Sequence, residues 1–551
     1  MPDLRAWTAA LERAPAVGRP GQRRPLILDD RGRLYLYRYW AYENRLARDL
    51  TERACRDTRI PARQLAEAVT AVFERLPGEP DPDQRAAATA AGRSGLTVIT
   101  GGPGSGKTYT VTAVLGVLRR LQGGRPLRAL LAAPTGKAAA RPTDDPRHQS
   151  EGQQDAAAGL RNNGLHLFQS DVIDPHGAVR IDEVHVDQHE ADAPPLEVAT
   201  IHRMLQPVRG TPRFRHDRNR PLGADAVVVD EASMVDLALM ARLADAVPAD
   251  ARLILVGDRH QLASVEAGSV LGDLCGRERA EPGRGDGGAL ERCIVELRRS
   301  YRFAPGSDIG ELSRAVNAGD AGGVLELLAH ARSGGVEWVD TAKGRTVAPA
   351  IRRRIVEGYR PLLQAGGPAG ALAELNGFKI LCPHASGPAG VETINRTAEG
   401  LMRQAGLISA AGPGEPWYAG RPVLVTRNDY ALMLFNGDIG VVSADAGTGT
   451  LFAHFPGAGG EVRSVLPQRL PEHATAFALT VHKSQGSEFE EVLLILPDED
   501  SPILTRELIY TALTRARRRI TVCGRAEVIR VAVERRIRRT SGLRDALWGP
   551  T

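Results

Sequence analysis

The residues with the most chemistry to offer sit in one short string. Residues 101–108 read GGPGSGKT, which satisfies the spacing Gly-x-x-x-x-Gly-Lys-Ser/Thr. Such a loop turns backbone N–H groups toward phosphate oxygens, and a helix starting directly after it adds the positive end of its dipole. Lys107 would reach the outer phosphates of a nucleoside triphosphate and the Thr108 hydroxyl would hold Mg²⁺. Gly101, Gly102, Pro103, Gly104, Ser105 and Gly106 would form the cradle. A glycine turn that only caps a helix would share these glycines. The apolar run before the loop and the helical periodicity after it are the context that a phosphate loop needs.

A second string, VVVDE at 227–231, ends an apolar run on two carboxylates. At the C-terminal edge of a parallel sheet they would lie beside the phosphates. Asp230 would hold Mg²⁺ through water, and Glu231 would activate the attacking water. Alone, an Asp-Glu pair after a strand more often opens a solvated helix; with a phosphate loop in the same chain it completes a hydrolytic site. VGDRHQLASVEAG at 256–268 again begins at a strand end, and the Gln261 amide, both donor and acceptor, suits a sensor of the γ-phosphate. Arg302 in SYRF and Arg515 in YTALTRAR would supply positive charge as the transition state develops. Gln84, just ahead of the loop strand, could read adenine with a bidentate amide contact.

These groups need a parallel sheet to aim them. Residues 96–100, 129–133, 226–229 and 252–256 are short apolar runs. After the first, Val111, Val114, Leu115 and Leu118 fall at helical spacing and stop at Gly123-Gly124. Strands alternating with helices argue for an α/β fold with helices on both faces. Residues 378–382, 492–496 and 520–523 repeat the style without a phosphate loop, which predicts a second α/β unit. Residues 417–470 are strand- and turn-rich and read as a small β insertion. Residues 1–80 read as a separate small unit, with strand alternation at 33–40, a helix from about Tyr42 and a Pro/Gly/acid linker at 76–83. The expected units are therefore 1–80, 81–295 and 296–551.

Residues 142–196 break the alternation. They are polar, with His148, His166, His176, His185 and His189 at irregular spacing, and read as a long loop rather than a metal cluster. Residues 276–288 form a second, basic and glycine-rich break.

Bulk properties agree with a multi-unit soluble enzyme. The 551 residues suggest roughly three to five folding units. With 42% hydrophobic and 25% charged residues, a packed core is expected, and no apolar run approaches a membrane span. The five cysteines form no CxxC pair, and the N-terminus lacks a secretory h-region, so a reducing cytoplasm is the expected compartment. The net charge of +5 is a small difference between 71 basic and 66 acidic residues. The arginine clusters 515–519 and 535–539 read on their own as solvated helix faces.

The order of strings is informative as a whole. GGPGSGKT is followed by APTGKAAAR (133–141), TIHRML (200–205), VVVDEASM (227–234), GDRHQLASVEAG (257–268), SYRF (300–303), TVHKSQGSEF (480–489) and RELIYTALTRAR (506–517). This series resembles that of superfamily-1 helicases, and its wording is similar to the RecD helicases. Residues 417–441, 387–395 and 24–50 further resemble the RecD subunit (alpha chain) of the RecBCD helicase–nuclease, exodeoxyribonuclease V. The resemblance implies two RecA-like P-loop NTPase domains with ATP between them, a small N-terminal partner-binding domain and an SH3-like β insertion. It implies an ATP-dependent 5′-to-3′ DNA helicase acting in double-strand break repair and recombination, bound to RecB-like and RecC-like subunits and to single-stranded and duplex-end DNA. Arg302 and Arg515 would come from the second domain. Pro134, Thr135 and Lys137, and Thr480, His482, Lys483, Ser484 and Gln485, would grip the DNA backbone. Residues 214–221 lie where the family carries a strand-separating pin.

One departure stands out. Pro142 directly follows APTGKAAAR where the family continues into an amphipathic helix, and a proline at that point blocks such a helix. No carboxylate–lysine cluster of a metal-dependent nuclease is evident, so a nuclease would sit in another subunit. The alternatives are a stand-alone RecD-like helicase, which usually carries a longer N-terminal extension, and a mainly structural or regulatory DNA-binding subunit. A small-molecule P-loop kinase is disfavoured by the arginine-bearing second unit and the lack of a lid module.

Overall fold

The computed structural model describes residues 3–76, 78, 81–134, 178–179, 196–264, 266–276, 288–304, 306–331, 334–341, 349–409, 416–457, 461–537 and 541–549. Two parallel sheets organise them. In the first, the strand order is Ile294–Leu297, Leu96–Gly101, Arg252–Gly257, Ala226–Val229, Ala129–Ala133, Leu196–Thr200 and Ala178–Val179. Only the last pairing is antiparallel. In the second, Val336–Val339, Ala516–Cys523, Phe489–Ile495, Phe378–Cys382 and Ala478–Thr480 all run parallel. The α/β expectation holds, and each apolar run lies where it was placed.

Why such runs are apolar throughout is visible in the packing. A strand buried on both faces sends successive side chains into opposite cores. Leu96, Val98, Val227, Val229, Leu253 and Leu255 enter one core, while Ile99, Val228, Ile254 and Val256 enter the other. Val492 and Leu494 divide in the same way from Leu493 and Ile495 in the second sheet.

Three expectations need correction. The first is the separateness of residues 1–80. The helix Tyr37–Cys55 sends Leu46 and Leu50 into one core of the first sheet, and the helix Ala62–Phe73 sends Leu65, Val69 and Phe73 into the other. These helices thus cover the two faces of the sheet. Only the helix Leu4–Arg13, which buries nothing, and a three-stranded sheet of Val17–Gly18, Leu26–Leu28 and Leu34–Leu36 stand apart from those cores.

The second correction concerns residues 33–40, where the strand ends at Leu36 and a helix begins at Tyr37. Tyr39, Tyr42, Leu46 and Leu50 follow helical spacing and share one core, so the 3.6-residue period overrides the local alternation. The third concerns the boundary at 295/296. It falls inside Ile294–Leu297, an edge strand of the first sheet. The C-terminal helix Leu543–Trp548 also returns to that half, where Leu543 is buried and Trp548 Nε1 donates to Asp273 O at 3.0 Å.

The β insertion is a five-stranded antiparallel sheet, Val462–Val465, Leu451–Pro456, Ile439–Ala444, Pro422–Val425 and His473–Thr475. Its last strand lies past the expected limit of 470. Of the expected loops, 142–195 lies outside the described residues except for Ala178–Val179, and so do 277–287. Among the described residues, no helix is long and apolar enough to cross a membrane.

Candidate active site

Parallel strands end on one edge, and there the functional strings meet. Strand Leu96–Gly101 runs through the glycine loop into the helix Lys107–Leu121. Gly104 and Gly106 take φ of 70° and 80°, a left-handed turn that costs side chains with a Cβ energy. Lys107 folds back, with Nζ 2.8 Å from Gly101 O and 3.0 Å from Gly102 O. The buried Ser105 hydroxyl has no partner among the described residues. Gln84, on the helix Pro82–Arg93, is buried with its amide nitrogen 2.6 Å from where a Cβ on Gly106 would stand. It lies against the loop itself.

The adjacent strands bring the carboxylates. Asp230 follows Ala226–Val229, and its Oδ1 accepts the Glu231 N–H at 2.8 Å. Glu231 is 9% exposed and adopts φ 49°, ψ 40°. A non-glycine residue held there stores backbone strain, and such positions cluster at working sites. A threonine hydroxyl and carboxylates are hard oxygen donors, so Thr108 and Asp230 fit Mg²⁺, which keeps several waters and shares phosphate oxygens.

Between them ends Arg252–Gly257, and here sequence reasoning missed two residues. Asp258 is 1% exposed and accepts three hydrogen bonds: from His260 N at 2.9 Å, Gln261 Nε2 at 3.1 Å and the Tyr510 hydroxyl at 3.0 Å. Burial and the neighbouring carboxylate push the Tyr510 hydroxyl well above its usual range, so it stays protonated. Burial also lowers the His260 imidazole, which keeps it neutral. Asp258 shares the signal that found Asp230, a carboxylate just past a buried strand. Tyr510 carries no such signal, because its role depends on a helix 252 residues away in the chain.

The segment 298–304 drapes over the glycine loop. Tyr301 N donates to Gly104 O at 2.7 Å. Arg302 Nη2 pairs with Glu488 Oε1 at 2.6 Å, and its buried Nη1 has no partner among the described residues. The expectation that Arg302 belongs to the second unit needs adjustment: it directly follows the edge strand of the first sheet, at the junction. Arg515 does come from the second half. It is buried, with Nε donating to Thr511 O and Nη1 to Ser487 O.

The halves also touch at one residue, Leu262. Leu262 N donates to Thr511 Oγ1 at 2.9 Å, and Gln485 Nε2 donates to Leu262 O at 2.7 Å. This corrects part of the expected DNA set. Gln485 is buried in that contact, and the fully buried Ser484 turns its hydroxyl to Val481 O. A short turn, His482–Ser484, rotates these side chains inward and leaves Lys483 exposed, with its N–H held by Thr480 Oγ1. Pro134 lies just past the end of Ala129–Ala133, whereas Thr135 and Lys137 lie outside the described residues. In and just before the expected pin region, one isolated antiparallel bridge pairs Pro207 with Phe214 and another pairs Asp217 with Arg220.

Comparison with known proteins gives this edge a lineage. A family model for an AAA domain matches residues 84–267, and one for a UvrD-like helicase C-terminal domain matches 475–523. The chain is 41% identical over 558 residues to the RecBCD enzyme subunit RecD of Mycobacterium tuberculosis, spanning 99% of this chain and 85% of that protein. It is 32% identical over 550 residues to the RecBCD enzyme subunit RecD of Haemophilus influenzae, spanning 93% and 80%. An ATP-dependent RecD2 DNA helicase of Deinococcus radiodurans is 31% identical over 442 residues, or 80% of this chain and 48% of that protein. A Bacteroides Pif1 helicase solved with ADP-AlF3 and single-stranded DNA overlaps loosely, with a TM-score of 0.36 at 17% identity over 77% of this chain and 88% of that one. The chain is a nucleotide-binding protein, and it belongs to the family of RecBCD enzyme RecD subunits.

Proposed function

We propose that this chain is the ATP-hydrolysing, 5′-to-3′ DNA-translocating subunit of a RecBCD-type helicase–nuclease, assembled with RecB-like and RecC-like subunits and acting on DNA ends in break repair and recombination. One observation carries the reading: the glycine loop, Asp230–Glu231 and Asp258–Gln261 share one sheet edge, and Arg302 and the second half close over it. In this reading Lys107 and the loop amides hold the β- and γ-phosphates, with Gln84 bracing the loop. Thr108 and Asp230 would hold Mg²⁺, which when bound neutralises charge between those phosphates. Glu231 takes the proton of the attacking water, and Gln261 helps to place that water. Arg302 and Arg515 stabilise the charge that develops. Lys483, His482 and Thr480, with Pro134, Thr135 and Lys137, form the DNA-facing set.

The match to the RecD2 helicase supports a second reading, a helicase that works without RecB-like and RecC-like partners. ATP turnover of the full chain with and without single-stranded oligonucleotide, beside Lys107→Gln, tests the motor reading. DNA-stimulated turnover that is lost in the variant is the expected result. Folded protein that shows none, even with partner subunits added, would leave only a binding role. Turnover that is complete without partners would favour the second reading.

A further inference from the structure

The Gln261 amide is held by one end only. Its nitrogen donates to Asp258 Oδ2 at 3.1 Å, while its oxygen is buried with no hydrogen-bond partner among the described residues. The two ends of an amide differ in chemistry: one donates and the other accepts. Asp258 already accepts from the His260 N–H and the Tyr510 hydroxyl, so its carboxylate can receive only the donor end of Gln261. The acceptor end is thereby left free. A buried acceptor without a partner costs stability, and it persists where another group is meant to fill it.

The group that fixes this orientation comes from the other half of the chain. Tyr510 lies on the helix Arg506–Leu513, directly after which comes Arg515. Its hydroxyl meets Asp258 and stands 3.0 Å from where a Cβ on Gly102 would be, so it also touches the glycine loop. The neighbouring Thr511 binds Leu262 N, one residue past Gln261. A shift of this helix relative to the first sheet would remove a donor from Asp258 and a restraint from the peptide after Gln261 together.

We propose that Asp258 and Tyr510 are a positioning pair for the Gln261 amide. They keep its oxygen turned toward the reaction as the acceptor that orients the attacking water, and they make that orientation depend on where the second half sits. Neither residue needs to touch the nucleotide to do this; both act through Gln261. The inference rests on the hydrolytic reading above and adds to it a route by which the seam between the halves controls the chemical step.

A double-mutant cycle on the full chain, in the assembly in which it turns over, tests the pair. Tyr510→Phe keeps the ring and deletes the hydroxyl. It should lower the DNA-stimulated kcat about tenfold, as expected for one lost positioning hydrogen bond, with KM for ATP changed by less than about twofold. Gln261→Ala should lower kcat by about a hundredfold, and adding Tyr510→Phe to it should cost nothing more. Asp258→Asn in the same cycle carries the same expectations, and it stands in for Tyr510→Phe if that variant melts below the assay temperature. An equal loss from Tyr510→Phe in both backgrounds would overturn the pair, as would a raised KM or an unchanged kcat. A wild-type chain that never hydrolyses ATP would sink the hydrolytic reading itself. Turnover with additive mutations would sink only the positioning pair.

Discussion

Arg53 offers a direct measure of whether the N-terminal helices belong to the first half. Arg53 is 4% exposed. Nε pairs with Asp49 at 2.8 Å, Nη1 donates to Pro248 O and Ala251 O at 3.0 and 3.3 Å, and Nη2 donates to Val247 O at 2.8 Å. One side chain thus satisfies four carbonyls, those of Ala244, Val247, Pro248 and Ala251, before strand Arg252–Gly257. Arg53→Leu keeps much of the apolar volume but takes the donor from Asp49 and Val247 O, while Pro248 O keeps the Ala251 N–H and Ala251 O keeps Arg56 Nη2. Breaking a buried ionic contact in this way costs about 3–5 kcal/mol. At roughly 2–4 °C per kcal/mol for a unit of this size, the main thermal transition should fall by about 10 °C. Differential scanning calorimetry, with nucleotide protection followed along the same ramp, reads the effect. If residues 1–76 formed a tethered independent unit, a small early transition would appear while nucleotide protection kept its midpoint. That result would refute the shared core.

Three further outcomes follow from the geometry. A Cβ on Gly104 would meet Arg302 Cβ at 2.3 Å and Arg302 N at 2.9 Å, whereas one on Gly123, at φ 62°, meets nothing within 4 Å. Each Ala variant carries about 1–2 kcal/mol of left-handed strain, but only Gly104→Ala should weaken nucleotide binding, by about tenfold or more in a fluorescent-ADP titration. Equal affinities would count against the clash. The Asp273 carboxyl is pushed up to about 6 by burial, beside Glu43, Ser541, Arg544 and Asp545. Its folded pKa exceeds the unfolded value, so it destabilises the fold above pH 6, and that cost fades as pH falls from 6 toward 4. Asp273→Asn should therefore gain up to about 3 kcal/mol at pH 8, keep about half of that at pH 5 and lose most of it by pH 4, as read from melts across that range. An advantage independent of pH would exclude the carboxyl as its source. Leu543, fully buried in a core of the first sheet, should cost about 2–4 kcal/mol when cut to Ala, and urea melts that leave the first half unmoved would contradict its packing there.

The site was legible where its chemistry is written in contiguous strings. A phosphate loop, a carboxylate pair and a glutamine each follow a buried strand, and a parallel sheet brings all strand ends to one edge whatever the order of the strands. What the sequence hid depends on contacts between distant segments. Ser484 and Gln485 read as phosphate-gripping groups because their types suit that work, yet a short turn aims them inward. Tyr510 carries no chemical signal of its own in the sequence, and its value lies in Asp258, which only the docked halves reveal. Residues 33–40 alternate as a strand does, but Tyr39 and Tyr42 continue the helical stripe of Leu46 and Leu50. A window that ended at Trp40 could not see that period. The first eighty residues seemed separate because a Pro/Gly linker follows them, although their helices bury Leu46, Leu50, Leu65, Val69 and Phe73 in the cores of the first sheet.

The polar contacts between the halves are concentrated on a few residues. Tyr510 binds Asp258, Thr511 and Gln485 bind the N–H and the C=O of Leu262, and Glu488 binds Arg302. Gln261 lies between Asp258 and Leu262, and Arg302 lies on the glycine loop. Buried polar groups do not give way gradually: each one parted from its partner costs about 1–3 kcal/mol unless another partner replaces it. An opening of the seam must therefore break this set together or exchange it for water and phosphate. That favours two discrete arrangements over a continuous range. A nucleotide that draws Arg302 and Gln261 to its γ-phosphate competes directly with the groups that hold the halves in register. Its free energy of binding can shift the seam only through that competition, and on the proposed reading the residues assigned to hydrolysis would transmit its loss to the turn at Lys483, two residues from Gln485, which that reading places on DNA.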